Sequence, residues 1–225
     1  MFVGHYSAAL AAKAAEPRAP LWTYVIACQF MDIGWSGLVA AGVEKVRVDP
    51  TAPGSLDLYY MPWTHSLPGA LAWSIGGGLL ARFALKLPAR AAALIGAVVF
   101  SHWLLDLLVH QPDLELWVGG PKLGLGLWNY PVPEQALEIG LLALAGAWWV
   151  GERVRGGRRI WPAVLFLAGL VALQIAGQLA PAGGDAVSMG LTALFAYLAV
   201  GGFAWLLDRG PVDAGARLPA AASRA

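Results

Sequence analysis

The chain contains few charged residues for its length. Only 13% of its 225 residues are charged, 58% are hydrophobic, and the formal net charge is +1. Its mean hydropathy of +0.61 lies outside the ordinary range of soluble proteins, and this composition indicates a polytopic membrane protein embedded in the lipid bilayer. A nucleic-acid-binding protein would need a basic patch, so the near-neutral charge argues against that class.

Cysteine is almost absent. Cys28 is the only one, which excludes an internal disulfide and a cysteine-based zinc site. Any metal must therefore be held by histidine, aspartate or glutamate. The first 15 residues do not have the basic-then-apolar order of a secretory signal peptide, so membrane insertion is expected to begin with the first long apolar segment.

Six apolar segments are close to the length that crosses about 30 Å of hydrocarbon. The predicted spans cover residues 21–43, 65–85, 91–110, 134–150, 160–180 and 186–207. Residues 2–15 are helix-prone but shorter, and we predict that they form a half-helix. The predicted fold is an all-α membrane bundle in one domain, residues 1–208. Residues 1–138 would carry the metal ligands, 139–208 would be scaffold helices, and 209–225 would be a disordered tail.

Lysine and arginine set the predicted orientation. If the N-terminus, the 82–90 turn, the 153–159 turn and the tail share one side, all basic residues except Lys45, Arg47 and Lys122 lie there. Both termini are then cytoplasmic, and residues 44–63 and 111–133 form long outer loops. The expected location is a bacterial inner membrane.

The third span carries a stripe of polar side chains. His102, Asp106 and His110 are four residues apart, so they share one helix face. Leucine, valine and tryptophan fill the positions between them, and an unpaired carboxylate in such a segment is very costly. The spacing predicts a metal site, because neutral imidazole and carboxylate are ligands for Zn²⁺, Mn²⁺ or Fe²⁺.

Other candidate ligands fall at compatible depths. With a rise of about 1.5 Å per residue, Asp32 and His102 both lie about 18 Å above the basic side of the membrane. His65 begins the second span near the height of His110. His5 joins them if the N-terminal half-helix rises from Lys13 into the membrane.

These residues resemble those of a known family. Gly4-His5, Asp32, Trp63-Thr64-His65-Ser66 and Ser101-His102-x-x-x-Asp106 are similar, in order and type, to motifs of the YdjM-type (DUF457) membrane-bound metal-dependent hydrolases. Phe30-Met31-Asp32 departs from the Pro-Asp of that family. A more distant similarity to zinc-dependent phospholipase C implies that Asp32, His65, His102 and Asp106 surround one metal. Asp106 would then bridge to a second metal near His5 or His110.

The expected function is hydrolysis of a lipid or lipid-linked phosphoester, with a carboxylic ester or an amide as the alternative bond, by one or two ions, most simply Zn²⁺. A metal ion of this kind activates water for attack on an ester, and Asp106 or Asp32 would orient that water. Candidate substrate contacts lie in the two outer loops, and they are Tyr60, Lys122, Trp128 and Asn129.

Other interpretations fit the same residues. A proton- or metal-coupled transporter could use the His/Asp cluster as a relay, and a scaffold could hold a structural metal. Asp106 with one histidine could be a purely structural pair. Glu138, one turn inside the fourth span, could complete the ligand shell or bind a proton, and Asp113 could be a turn residue.

Overall fold

A computed structural model describes residues 1–179 and 184–208. Within these ranges the chain is mostly helical, as predicted. The α-helices are α1 (His5–Ala15), α2 (Leu21–Cys28), α3 (Phe30–Ala40), α4 (Leu67–Leu79), α5 (Ala89–Val109), α6 (Pro131–Arg155), α7 (Trp161–Leu179) and α8 (Ala186–Asp208). The predicted tail and most of the turn before α8 lie outside the described residues.

Three helices are long and apolar enough to cross a membrane, namely α5, α7 and α8. They correspond to the predicted third, fifth and sixth spans, which indicates a membrane protein. The fourth predicted span is also one helix, α6, but Glu134 and Glu138 lie in its first two turns and make it less apolar. Its role as a span remains a prediction.

The first predicted span is not one continuous helix. Gln29, with φ −111° and ψ 10°, leaves helical geometry and separates α2 from α3. The break places Asp32 in the first turn of α3. It also frees the backbone carbonyl of Cys28 to accept a hydrogen bond from a neighbouring helix.

The second predicted span begins later than expected. Ser66 caps α4, because its Oγ accepts the N–H of Gly69 at 3.1 Å, so His65 lies just before the helix rather than in it. α4 continues into a π-helical turn, Leu80–Ala84. It packs closely on α5, since a Cβ added at Gly78 would lie 3.3 Å from the carbonyl oxygen of Ala92.

Two small antiparallel hairpins form in the predicted outer loops. β1 (Lys45–Val48) pairs with β2 (Leu56–Tyr60), and β3 (Leu114–Glu115) pairs with β4 (Lys122–Leu123). A 3₁₀ turn at Leu127–Asn129 precedes α6. Residues 111–130 of this connection are not α-helical, as their glycines and prolines predict, whereas residues 131–133 already belong to α6.

The N-terminal helix α1 is a central element of the bundle. It packs against α2, α5 and α6, and Tyr6, Ala9 and Leu10 on it are fully buried. α1 is only 11 residues long. Its first residue, His5, lies in the interior of the bundle, beside the polar face of α5. The short helix therefore brings His5 to the centre of the bundle.

Candidate metal centre

Six predicted ligands converge at one place. Asp106, on α5, is 1% exposed and is surrounded by all four histidines of the chain. The Nε2 atoms lie 3.1 Å (His5), 3.1 Å (His102), 3.4 Å (His110) and 3.6 Å (His65) from its carboxylate oxygens. Asp32 completes the group, since its Oδ1 is 3.4 Å from Nε2 of both His65 and His102.

Two sets of three residues could hold a metal ion. One set is His5, Asp32 and His102, and the other is His65, His102 and Asp106. The ligand atoms within each set lie within 4.8 Å of one another. His102 belongs to both sets, so the two arrangements form one continuous cluster.

The ring orientation of His102 is fixed from outside the cluster. Its Nδ1 lies 2.7 Å from the backbone carbonyl of Cys28. A carbonyl can only accept, so Nδ1 carries the proton and, in the neutral ring, Nε2 presents a lone pair. That Nε2 is buried and has no hydrogen-bond partner, although carboxylate oxygens of Asp106 and Asp32 are close.

The same reasoning applies to His65. The hydroxyl of Thr64 donates to Oε2 of Glu44 at 2.7 Å, and Thr64 Oγ1 also lies 2.7 Å from His65 Nδ1. Because a hydroxyl has one proton, Thr64 must accept from Nδ1–H, which directs the Nε2 lone pair into the cluster. Glu44 is itself held by the backbone N–H groups of Trp63 and Thr64.

His110 lies at the edge of the cluster nearest the outer loops. Its Nδ1 is 2.9 Å from Oδ1 of Asp113, so Asp113 positions this ring as well as following the helix end. The ring packs on Trp128 with centroids 4.2 Å apart. His110 therefore connects the buried ligands to the predicted outer loop that contains Trp128.

His5 approaches Asp106 from α1. Its ring stacks on that of His102, with centroids 3.7 Å apart and an angle of 5° between the planes. Two stacked imidazolium ions would repel each other, so at most one of these rings is charged. The buried Nδ1 of His5 has no hydrogen-bond partner.

Two groups at the centre lie outside the sequence prediction. The phenol of Tyr197, on α8, donates to Oδ2 of Asp32 at 3.0 Å, so α8 contributes to the site as well as to the scaffold. The amino group of Met1 donates to Oδ1 of Asp106 at 3.0 Å. The other ligands were predicted as acidic or imidazole side chains in apolar segments. Neither a tyrosine nor the terminal amino group fits that pattern.

Glu138 acts mainly on the N-terminal segment. Its carboxylate accepts the backbone N–H groups of Phe2, at 3.0 Å, and Gly4, at 2.8 Å. These hydrogen bonds attach α6 to the residues that precede α1. Glu138 thus positions His5, while its side chain also borders the pocket over the cluster.

A cavity of about 300 Å³ opens onto the cluster. Asp32, His65, Asp106 and His110 line its polar part, and its apolar wall includes Trp35, Leu56, Leu58, Met61 and Trp128. Trp128 was predicted as a substrate contact and does lie at this cavity.

The other three predicted substrate contacts do not line the cavity. Lys122 Nζ donates to the carbonyl of Tyr59 at 2.8 Å, the amide of Asn129 donates to Gln111 and Gly126, and Tyr60 is 38% exposed on β2. All three lie in the two predicted outer loops. Their role in binding a substrate stays a prediction.

Comparison with known proteins finds no match for this chain among family models, characterised proteins or solved structures. The resemblance to membrane-bound metal-dependent hydrolases therefore stays a prediction, and the chemistry of the cluster has to be argued from its own geometry.

Proposed function

We propose that this chain is a membrane-embedded metal-dependent hydrolase that acts on a lipid or lipid-linked phosphoester. One observation carries the proposal. The Nε2 lone pairs of His65 and His102, fixed by the partners of their Nδ1 atoms, face carboxylate oxygens of Asp32 and Asp106. Lone pairs facing carboxylates repel unless a proton or a metal ion lies between them, and a metal ion can bind both imidazoles and both carboxylates at once.

The separations support a small transition-metal ion, and we propose Zn²⁺. Ligands about 2.0–2.1 Å from a tetrahedral ion are about 3.3 Å from one another. The nitrogen–oxygen distances of His65 and His102 to Asp32 and Asp106 run from 3.1 to 3.6 Å. The set of His5, Asp32 and His102 is an alternative position for the ion, because both sets use the single free nitrogen, Nε2, of His102.

Each group has a role in this proposal. A bound divalent ion supplies Lewis-acid activation of water and of the ester. Asp106 and Asp32 would help to hold the ion and would orient that water, since both carboxylates border the cavity. The phosphate-bearing head group would enter past Trp128. In the outer loops it would contact Lys122, Asn129 and Tyr60.

A lipid substrate is favoured by the shape and lining of the cavity. Its volume of about 300 Å³ accommodates a head group rather than a whole lipid. Its wall combines a few carboxylates and imidazoles with apolar and aromatic side chains, which suits the junction between a polar head group and an acyl chain.

We further propose six spans with both termini cytoplasmic, in a bacterial inner membrane. Large apolar side chains are exposed on helices outside the three clear spans, as expected of a lipid-facing surface. Examples are Ile75 (62%) on α4, Phe83 (72%) in its π-helical turn and Leu144 (73%) on α6.

Metal analysis of the purified protein, combined with a hydrolysis assay, tests the proposal. We expect at least one equivalent of zinc in the wild type and a large loss in His102→Ala. Asp106→Asn should fold but fail to hydrolyse phospholipid or lipid-phosphate substrates. Less than one equivalent of transition metal, unchanged by His102→Ala, would end the metalloenzyme proposal. Normal metal content without any hydrolysis would instead favour a transporter or a structural metal.

A further inference from the structure

A second cavity lies at the other end of α1, away from the metal centre. Its volume is about 330 Å³, and its basic lining comes from the last turn of α1 and from the end of α6 with the turn that follows. The lining residues are Lys13, Pro17, Trp149, Glu152, Arg153, Arg155, Gly156 and Arg158. Lys13 is eight residues, or about 12 Å of helix, from His5, so this basic cleft is separate from the metal centre.

Charge in the basic cleft is strongly unbalanced. Four cationic side chains face a single acidic one, Glu152, which pairs with Arg155. Lys13 also lies close enough to Arg158 and Arg153 for their charges to repel its own, although the carboxylate of Asp208, which does not line the cleft, attracts it more strongly than either arginine repels it. Like charges gathered around one cavity are stabilised when an anion occupies it.

Lys13 shows that the cleft is more than an exposed basic turn. Its residue exposure is only 5%, and its ammonium donates to the carbonyls of Pro17 (3.2 Å) and Ala19 (2.7 Å). An ammonium has three N–H donors, so one remains for a ligand. The positive-inside rule explains arginines in a cytoplasmic turn, but it does not explain a buried lysine that lines the same cavity.

The surroundings of the cleft favour a lipid over a soluble anion. Trp149 is buried and carries the guanidinium of Arg153 at 5.6 Å from its ring centroid. Beside the cleft, Trp148 (47%), Ile160 (46%) and Trp161 (47%) are exposed apolar side chains. Tryptophans at this level are typical of the membrane interface, where a head group could enter the cleft while its acyl chains lie along α6 and α7.

We propose that the basic cleft binds the phosphate group of an anionic lipid. Arg155 and Arg158 would supply guanidinium donors to the phosphate oxygens, as arginine commonly does. Lys13 would supply the third N–H donor of its ammonium. Basic pockets between helices on the cytoplasmic side are the kind of site that binds such head groups. This proposal does not depend on the hydrolase activity.

Lipid titration of the purified full-length protein in detergent tests this proposal, with the thermal unfolding midpoint as readout. We expect phosphatidylglycerol to raise the midpoint with saturation, and phosphatidylcholine to do so much less. Arg158→Gln should weaken the apparent affinity for phosphatidylglycerol about five-fold, the change for about 1 kcal/mol per basic side chain. Arg155→Gln combined with Arg158→Gln should weaken it about 25-fold. Arg82→Gln removes the same charge from the 82–90 turn, outside the basic cleft, and should change nothing.

Two results would overturn the proposal. Equal effects of the two lipids would show that no anionic head group is selected, and equal effects of Arg158→Gln and Arg82→Gln would show a general charge effect. A third arm uses inorganic phosphate alone. If phosphate saturates the site as effectively as phosphatidylglycerol, the cleft takes a soluble phosphate compound and the lipid assignment is wrong. Lys13→Met removes the hydrogen bonds to the carbonyls of Pro17 and Ala19 and so perturbs the fold, and the test therefore relies on the exposed Arg158.

Discussion

Thr64→Val gives a sharp test of how the metal centre is positioned. Thr64 is fully buried and its hydroxyl lies between Oε2 of Glu44 and Nδ1 of His65, at 2.7 Å from each. Valine keeps the shape of threonine and removes the acceptor for the Nδ1 proton together with the hydroxyl donor to Oε2 of Glu44. Oε1 of Glu44 keeps its two backbone N–H partners, so we expect the chain to fold.

The expected loss of zinc affinity follows from the role of groups that support a metal-binding histidine. Removing a hydrogen-bond partner behind a metal-binding histidine typically lowers metal affinity 10- to 100-fold, which corresponds to about 1.4–2.7 kcal/mol. Without Thr64, the ring of His65 can rotate or adopt the other tautomer, and its Nε2 no longer presents a fixed lone pair to the cluster. Thr64→Ser restores the hydroxyl and should recover most of the affinity.

Competition with a chromogenic zinc chelator measures the affinity of each variant, and thermal unfolding confirms that each is folded. Thr51→Val is the matched control, because the hydroxyl of Thr51 also donates to a carboxylate, that of Asp49, but in an exposed loop. We expect the control to bind zinc as the wild type does. Wild-type affinity in a folded Thr64→Val variant would refute the inferred tautomer of His65.

The remaining predictions concern other parts of the chain. Tyr197→Phe removes the donor to Asp32 and should lower zinc affinity about 10-fold in the same competition assay, whereas Tyr130→Phe, at a 62% exposed position, should not. Gly78→Leu should cost about 1–3 kcal/mol of stability, because its Cβ would press on the backbone of α5. Gly76→Leu, with no neighbouring atom within 4 Å of the added Cβ, should leave the unfolding midpoint nearly unchanged. Protein reconstituted in liposomes should show no uptake of zinc or protons above empty liposomes; coupled uptake abolished by Asp106→Asn would favour a transporter.

Local sequence pattern is sufficient to predict much of the bundle. The continuous apolar runs of α5, α7 and α8 appear as helices close to their predicted limits. The break at Gln29 could not be predicted, because no proline or glycine adjoins it and its immediate neighbours, Cys28 and Phe30, are apolar. It depends on tertiary contacts, including the hydrogen bond from His102 to the carbonyl that the break exposes.

The candidate site likewise contains residues that the sequence predicts and residues that only the tertiary structure brings there. His102 and Asp106 follow from a spacing of four residues in one helix, and rise per residue places Asp32 at their level. Tyr197 is separated from Asp32 by 165 residues, and only the packing of α8 on α3 brings the two together. Glu44 reaches Thr64 because residues 44–60 fold back as a hairpin that the sequence shows only as a polar loop.

The polar cluster ends abruptly toward the basic side of the bundle, which bears on the choice between enzyme and transporter. Along the buried face of α5, His102 is followed toward the helix start by Val99 and Ile95, each at most 4% exposed. On α1, His5 is followed by Ala9, which is fully buried. A relay across a membrane needs polar groups at successive steps, whereas these two stripes turn apolar within one helical turn of the ligands. The cluster has a cavity at one end, and at the other end the buried Ala9 separates His5 from Lys13 of the basic cleft; this asymmetry is the physical reason for which we prefer the proposed hydrolysis to transport.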